Sequence, residues 1–120
     1  MLIFGHPLIS MEKMKRFKGE INQTVVNCFD YDEKIIQLAQ EKKCDFAVFV
    51  KNEEEVLLSN ALGAKYILIN DQALAKIASK MAEFYMFDSK ILLILDKLEN
   101  NLKNAYDLSV DGVCLSTYIK

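Results

Sequence analysis

Tyr66-Ile67-Leu68-Ile69-Asn70, entered through the run Glu53 to Gly63, is the stretch whose reading decides the fold. Asn52 stands where a side chain accepts from the free N–H groups of a helix start. Glu55 follows at capping-box spacing. Glu53, Glu54 and Glu55 put negative charge in the first turn, where the helix dipole favours it. Val56, Leu57, Asn60, Ala61 and Leu62 continue at helical spacing, with Val56, Asn60 and Gly63 on one stripe. Gly63 suits the left-handed position that closes many helices. Tyr66 to Ile69 is then apolar without alternation. Such a run between turn signals predicts a strand covered on both faces, as in parallel sheets.

The rest of the chain repeats this unit. Met1 to Phe4 is a short apolar strand ended by Gly5-His6-Pro7. Ser10 to Gln23 admits two readings: a helix capped by Ser10 and stopped by Gly19, or a strand around Lys13 to Phe17 and then a turn. Thr24 to Phe29 is β-branched and apolar, hence a strand. Asp30 and Glu33 have capping-box spacing. The helix after them runs to about Lys43, with Ile35, Ile36, Leu38 and Ala39 as its apolar side. Phe46 to Val50 is the next strand. Asp71 opens the longest helix, with Leu74, Ile77, Ala78, Met81 and Tyr85 on one face. Ile91 to Leu95 is a strand. Asp96 and Glu99 repeat the capping-box spacing before a helix to about Leu108. Val113 to Leu115 is the last strand, and Ser116 to Lys120 has room for one helical turn.

Strand starts near residues 2, 24, 46, 66, 91 and 113 recur at about 22 residues, the length of one strand–helix unit with short loops. Alternating strands and helices predict a parallel sheet with right-handed crossovers. The expected fold is α/β, a single domain over 1–120. Its sheet is open and mostly parallel, of five to six strands, with helices on both faces. The alternative is a partial βα-barrel, since six strands cannot close an eight-stranded one.

Of the 120 residues 52% are hydrophobic and 27% charged, which suits a chain that buries a core. No apolar run approaches the ~20 residues of a membrane helix, so no membrane partner is expected. The first residues form neither a basic leader nor a long apolar core, which predicts a cytoplasmic protein. A net charge of −2 gives no electrostatic reason to expect nucleic acid. Three cysteines, Cys28, Cys44 and Cys114, make neither a disulfide framework nor a zinc pattern. Cys28 and Cys114 fall in strands and read as small buried hydrophobes.

Asp107 to Leu115 (Asp-Leu-Ser-Val-Asp-Gly-Val-Cys-Leu) resembles the helix-to-strand junctions of (βα)-barrel enzymes, and Asn60 to Ile67 looks similar. Phe4-Gly5-His6-Pro7 together with Asn60 to Ile67 resembles small bacterial proteins of unassigned function. The resemblance implies a strand–helix repeat and no particular activity.

In open parallel sheets, ligands bind beyond the carboxyl ends of the strands. Those ends carry Asp30 and Asp32, Lys51 and Asn52, Asn70 and Asp71, Asp96 and Lys97, Ser116 and Thr117. Asp30, Asp71 and Asp96 are the candidate catalytic carboxylates, an acidic rim suited to a hard cation such as Mg²⁺ or to phosphate chemistry beside a lysine. Helix capping competes for every one of these positions. No strand is followed by a glycine-rich phosphate loop. His6, the only histidine, is a further candidate, for general-base chemistry, although Gly5 and Pro7 beside it favour a turn. Cys44, after Lys42 and Lys43, lies at a helix end, the wrong end to activate a thiol. Lys13, Lys15, Arg16 and Lys18 form one basic cluster, read as a solvated face. Phe84-Tyr85-Met86-Phe87 cannot all face one core, so part of the run is expected to form an interface.

The expected function is a non-catalytic interaction or structural module that self-associates as a homodimer or meets another protein partner. No cofactor and no metal are assigned. The alternative is a small-ligand, phosphate-handling or Mg²⁺-dependent enzyme using the acidic rim.

Overall fold

The computed structural model describes all 120 residues. Seven strands form one all-parallel sheet: β1 (Leu2–Phe4), β2 (Met14–Arg16), β3 (Val26–Asp30), β4 (Phe46–Phe49), β5 (Tyr66–Ile69), β6 (Lys90–Leu95) and β7 (Gly112–Leu115). Their spatial order is β1-β7-β6-β5-β4-β3-β2. The helices α1 (Glu33–Glu41), α2 (Glu53–Ala61), α3 (Gln72–Tyr85) and α4 (Leu102–Asp107) join successive strands from β3 to β7. A short 3-10 turn, Ser116–Tyr118, follows β7.

Strands β3 to β7 lie side by side in chain order. Each right-handed crossover therefore adds its helix to the same side. Ile36 and Ala39 of α1, Val56 of α2, Leu74, Ala75 and Ala78 of α3, and Ala105 of α4 all join one core with Phe29, Val48, Ile67, Ile69, Ile91, Leu93 and Val113. The opposite face holds a second cluster with no helical member, in which Phe4, Met14, Cys28, Tyr66, Leu68, Leu92 and Cys114 are buried. The result is an open α/β sheet curled into a half-barrel. Helices cover its convex face only, where both faces were expected to carry them, and the arrangement is the partial barrel named as the alternative.

The seventh strand comes from the segment the sequence left undecided. Met14–Arg16 pairs with β3 in the register Met14↔Val26 and Arg16↔Cys28. The reading of a strand followed by a turn holds there. Asn27 secures the turn: its buried amide accepts from Asn22 N–H at 2.8 Å and donates to Asn22 O and Asp45 O.

No helix covers the concave face. A strap of residues 5–13 crosses it from the end of β1 to the start of β2, and the chain end lies beside it. Tyr118 Oη donates to Glu12 O at 2.8 Å and Met11 O at 3.0 Å. Glu12 pairs with Lys65 at 2.6 Å and accepts from Tyr66 Oη at 3.2 Å. Phe4 meets Tyr66 and Tyr118 edge-on at 5.3 and 5.7 Å between ring centroids. Phe4 on β1 reaches Tyr66 on β5 across two intervening strands only because the sheet is strongly curled.

The helix ends follow local chemistry with a few shifts. Asn52 caps α2, accepting from Glu55 N–H at 2.9 Å, while the Glu55 carboxylate reaches Lys51 N–H at 2.8 Å, one residue beyond the capping box. Asp32, not Asp30, caps α1, because Asp30 is still paired in β3. Gly63 (φ +96°) closes α2 with Ala64 N–H on Ser59 O and Gly63 N–H on Asn60 O, a Schellman motif. The last helix is shorter than expected. Asn100 adopts φ +64°, which no helix interior tolerates, and Asn101 Nδ2 donates to Lys97 O, so α4 begins at Leu102. Gly112 is the first residue of β7. A Cβ there would collide with Leu2 O and lie 2.6 Å from Leu2 Cβ, so the glycine admits β1 beside β7. On α3 the buried face is Leu74, Ala75, Ala78 and Ser79, rotated from the expected stripe so that Ile77 and Tyr85 are exposed. No helix is long and apolar enough to cross a membrane.

Candidate functional site

Side chains alternate along a strand, and parallel partners in register share a face. Met14, Cys28, Tyr66, Leu68, Leu92 and Cys114 are buried on the concave side, with Phe49 and Ile94 packed beside them. Two residues further along each chain come Arg16, Asp30, Lys51, Asn70, Asp96 and Ser116. The alternation that fills the half-barrel thus delivers a polar ring to its carboxyl rim. Arg16 and Asp30 are still within their strands, and Lys51, Asn70, Asp96 and Ser116 follow within two residues of a strand end.

Five of the six meet in one cavity of 270 Å³. Arg16, Asp30, Lys51, Asn70 and Ser116 line it, over an apolar floor that includes Phe49, Leu68, Ile94 and Ile119. The Arg16 guanidinium carbon lies 4.5 Å from the Phe49 ring centroid. Stacking of this kind is worth about 0.5–1 kcal/mol at an exposed position and leaves the edge of the guanidinium fork free. The three ion pairs of the chain, Lys65–Glu12, Lys65–Asp45 and Lys103–Asp107, all lie elsewhere. Arg16, Lys51 and Asp30 therefore face the cavity without pairing with one another, so its lining residues carry two cations against one carboxylate. A preorganised fork beside a lysine is suited to a carboxylate or phosphate.

The candidate carboxylates are not gathered as the acidic-rim reading required. Asp30 lines the cavity. Asp71 is engaged at the start of α3, accepting from Ala73 N–H at 3.3 Å. Asp96 accepts from Ser116 Oγ at 3.4 Å outside the cavity. Nowhere do three His, Cys, Asp or Glu side chains converge as metal ligands would. His6 sits in an exposed turn, its Nδ1 accepting from Leu8 N–H at 3.1 Å.

Burial pushes the thiols of Cys28 and Cys114 up to about 12, with the Cys114 neighbour adding to the rise at Cys28 and Arg16 opposing it. Both stay protonated at neutral pH and act as packing. Phe87 packs against the convex core. Phe84, Tyr85 and Met86 stand 71%, 64% and 85% exposed, with the two rings edge-on at 4.8 Å.

Arg16 is the site residue that sequence reasoning assigned elsewhere, to a solvated basic cluster. The signal that picks it out is the period of two in Met14-Lys15-Arg16-Phe17, which sets Met14 and Arg16 on one face and Lys15 and Phe17 on the other. No family model matches the sequence, and none of the curated proteins matches it as a relative.

Proposed function

We propose that the chain binds a small organic oxyanion, a carboxylate or phosphate carrying an apolar body, in the cavity at the carboxyl rim. The observation that carries this reading is the Arg16 guanidinium, stacked on Phe49 and facing the same cavity as Lys51 with no carboxylate partner. The apolar floor supplies the contact for the body of the ligand, and Asn70 and Ser116 supply neutral hydrogen-bonding groups. Titration with benzoate and phenyl phosphate tests the reading, with melting temperature and amide chemical shifts as readouts. Saturable binding that Arg16→Ala weakens roughly 10- to 100-fold supports it, the loss expected for a charge-assisted contact. Absence of saturable binding at millimolar ligand overturns it.

A second reading, self-association as a homodimer, rests on the exposure of Phe84, Tyr85 and Met86 together at the end of α3. Three such side chains offer a few hundred Å², against about 800 Å² per partner in a stable complex. The expected association is therefore weak. Sedimentation over a range of concentration should show it, and Phe84→Ser should remove it. A strictly monomeric chain at high concentration ends this reading.

A further inference from the structure

The oxyanion reading leaves one rim group without a role. Asp30 ends β3, two residues beyond the buried Cys28, and lines the cavity with Arg16 and Lys51. It pairs with neither and accepts no side-chain or backbone hydrogen bond of its own, whereas Asp32 two residues on caps α1. For a ligand that is only an anion, Asp30 is a liability: like charges in one small site repel. The same carboxylate becomes an attraction if the ligand brings its own cation.

We infer that the cavity is built for a small zwitterion of amino-acid type, its carboxylate on Arg16 and Lys51, its ammonium on Asp30, and its apolar side chain on the floor. This rests on the oxyanion reading and narrows it. The volume supports a ligand of this size. At 270 Å³ the cavity lies at the lower edge of small-molecule sites, which run from about 300 to 1,000 Å³. A nucleotide would fill the cavity or reach beyond it, whereas an amino acid fits within it. The apolar floor of Phe49, Leu68, Ile94 and Ile119 favours an aliphatic or aromatic side chain over a polar one. Asp30 also sets selectivity by rejection, because a dianion such as a free dicarboxylate would place its second charge near a fixed carboxylate.

The test compares each of L-phenylalanine, L-leucine and L-methionine with the same acid lacking its amino group (3-phenylpropanoate, 4-methylpentanoate and 4-methylsulfanylbutanoate). Affinities come from amide chemical-shift titrations of the full chain. At least one amino acid should bind roughly 10- to 100-fold tighter than its deaminated partner, the range for a hydrogen bond to a charged group. Asp30→Asn should abolish that preference while leaving the deaminated acid bound as well as before or better. Equal affinities within every pair, or a preference that survives Asp30→Asn, would overturn the zwitterion and leave the oxyanion site standing. If neither amino acids nor deaminated acids bind, and benzoate and phenyl phosphate also fail, both readings fall together.

Discussion

The two ends of the half-barrel treat their polar groups in opposite ways. At the amino ends of the strands, polar side chains are engaged with one another and with the backbone. Lys65 holds Glu12 and Asp45, and Asp111 accepts from Ile91 N–H at 2.7 Å. Asn27 ties down the turn before β3, and Ser89 Oγ donates to Ala64 O. These contacts anchor the strap over the concave face and close the loops from helix to strand. At the carboxyl ends, Arg16, Asp30 and Lys51 converge on one cavity and pair with nothing. Parallel sheets with short return loops place stabilising chemistry at one end and ligand chemistry at the other. Here the contrast lies between the ion pairs of Lys65 at the amino ends and the three cavity charges, which have none, while Asp32, Asp71 and Asp96 at the carboxyl rim hold hydrogen bonds outside the cavity.

The largest break in this comparison should come from Tyr66→Ala. The ring is buried against Phe4 and its hydroxyl reaches Glu12, so truncation removes packing and an anchor of the strap together. A loss of about 3–5 kcal/mol in denaturant unfolding is expected for a large aromatic in a core. Gly112→Ala forces β1 off its neighbour and should cost about 1–3 kcal/mol, as overpacking does. Its melting temperature reports this directly.

Alkaline titration sharpens the same end. Burial, then the Glu12 carboxylate, pushes the Tyr66 hydroxyl from an ordinary value near 10 up to about 12. The folded chain favours the neutral phenol. This contribution is therefore complete below pH 10 and disappears as pH rises through about 12. Tyr66→Phe should flatten that part of the stability–pH curve, and an unchanged curve would separate Tyr66 from the alkaline transition.

Helix endings provide a smaller, matched pair. Gly63 and Lys43 both sit in the left-handed region, at φ +96° and +54°. Gly63→Ala should cost, and Lys43→Gly should gain, about 1 kcal/mol. The smallest effect on stability is expected at the rim. Asp30→Asn and Lys51→Ala, being unpaired and exposed, should each change unfolding free energy by no more than about 0.5 kcal/mol, and Arg16→Ala, which also loses the stack on Phe49, by about 0.5–1 kcal/mol.

Much of the repeat was legible because each unit has its own punctuation. Asn52 and Asp71 start helices, Gly63 stops one, and the apolar runs at Tyr66–Ile69 and Ile91–Leu95 are strands. The side on which helices fall was not legible, since it depends on strand order, and strand order leaves no local trace. Apolar residues on both faces of β5 hid the period of two, so Asn70 and Lys51 could be named at strand ends without being placed on a shared face. Arg16 was obscured for another reason. Met14–Arg16 is an edge strand of three residues amid charges, and its apolar signal is one buried methionine. Asp96 looked like a helix cap because its spacing to Glu99 is right, but Asn100 and Asn101 delay the helix. In the Phe84 to Phe87 run, sequence announced that the residues could not all share one core, and only the fold sorted Phe87 inward from the other three.

The most direct test of the division between the two ends is an amide chemical-shift map of the uniformly labelled chain titrated with benzoate. Saturable shifts centred on Arg16, Asp30, Lys51, Asn70 and Ser116 are expected, with Lys65, Lys90 and Asp111 at the opposite end unmoved. Shifts centred on the amino ends, or none that saturate, would contradict the division.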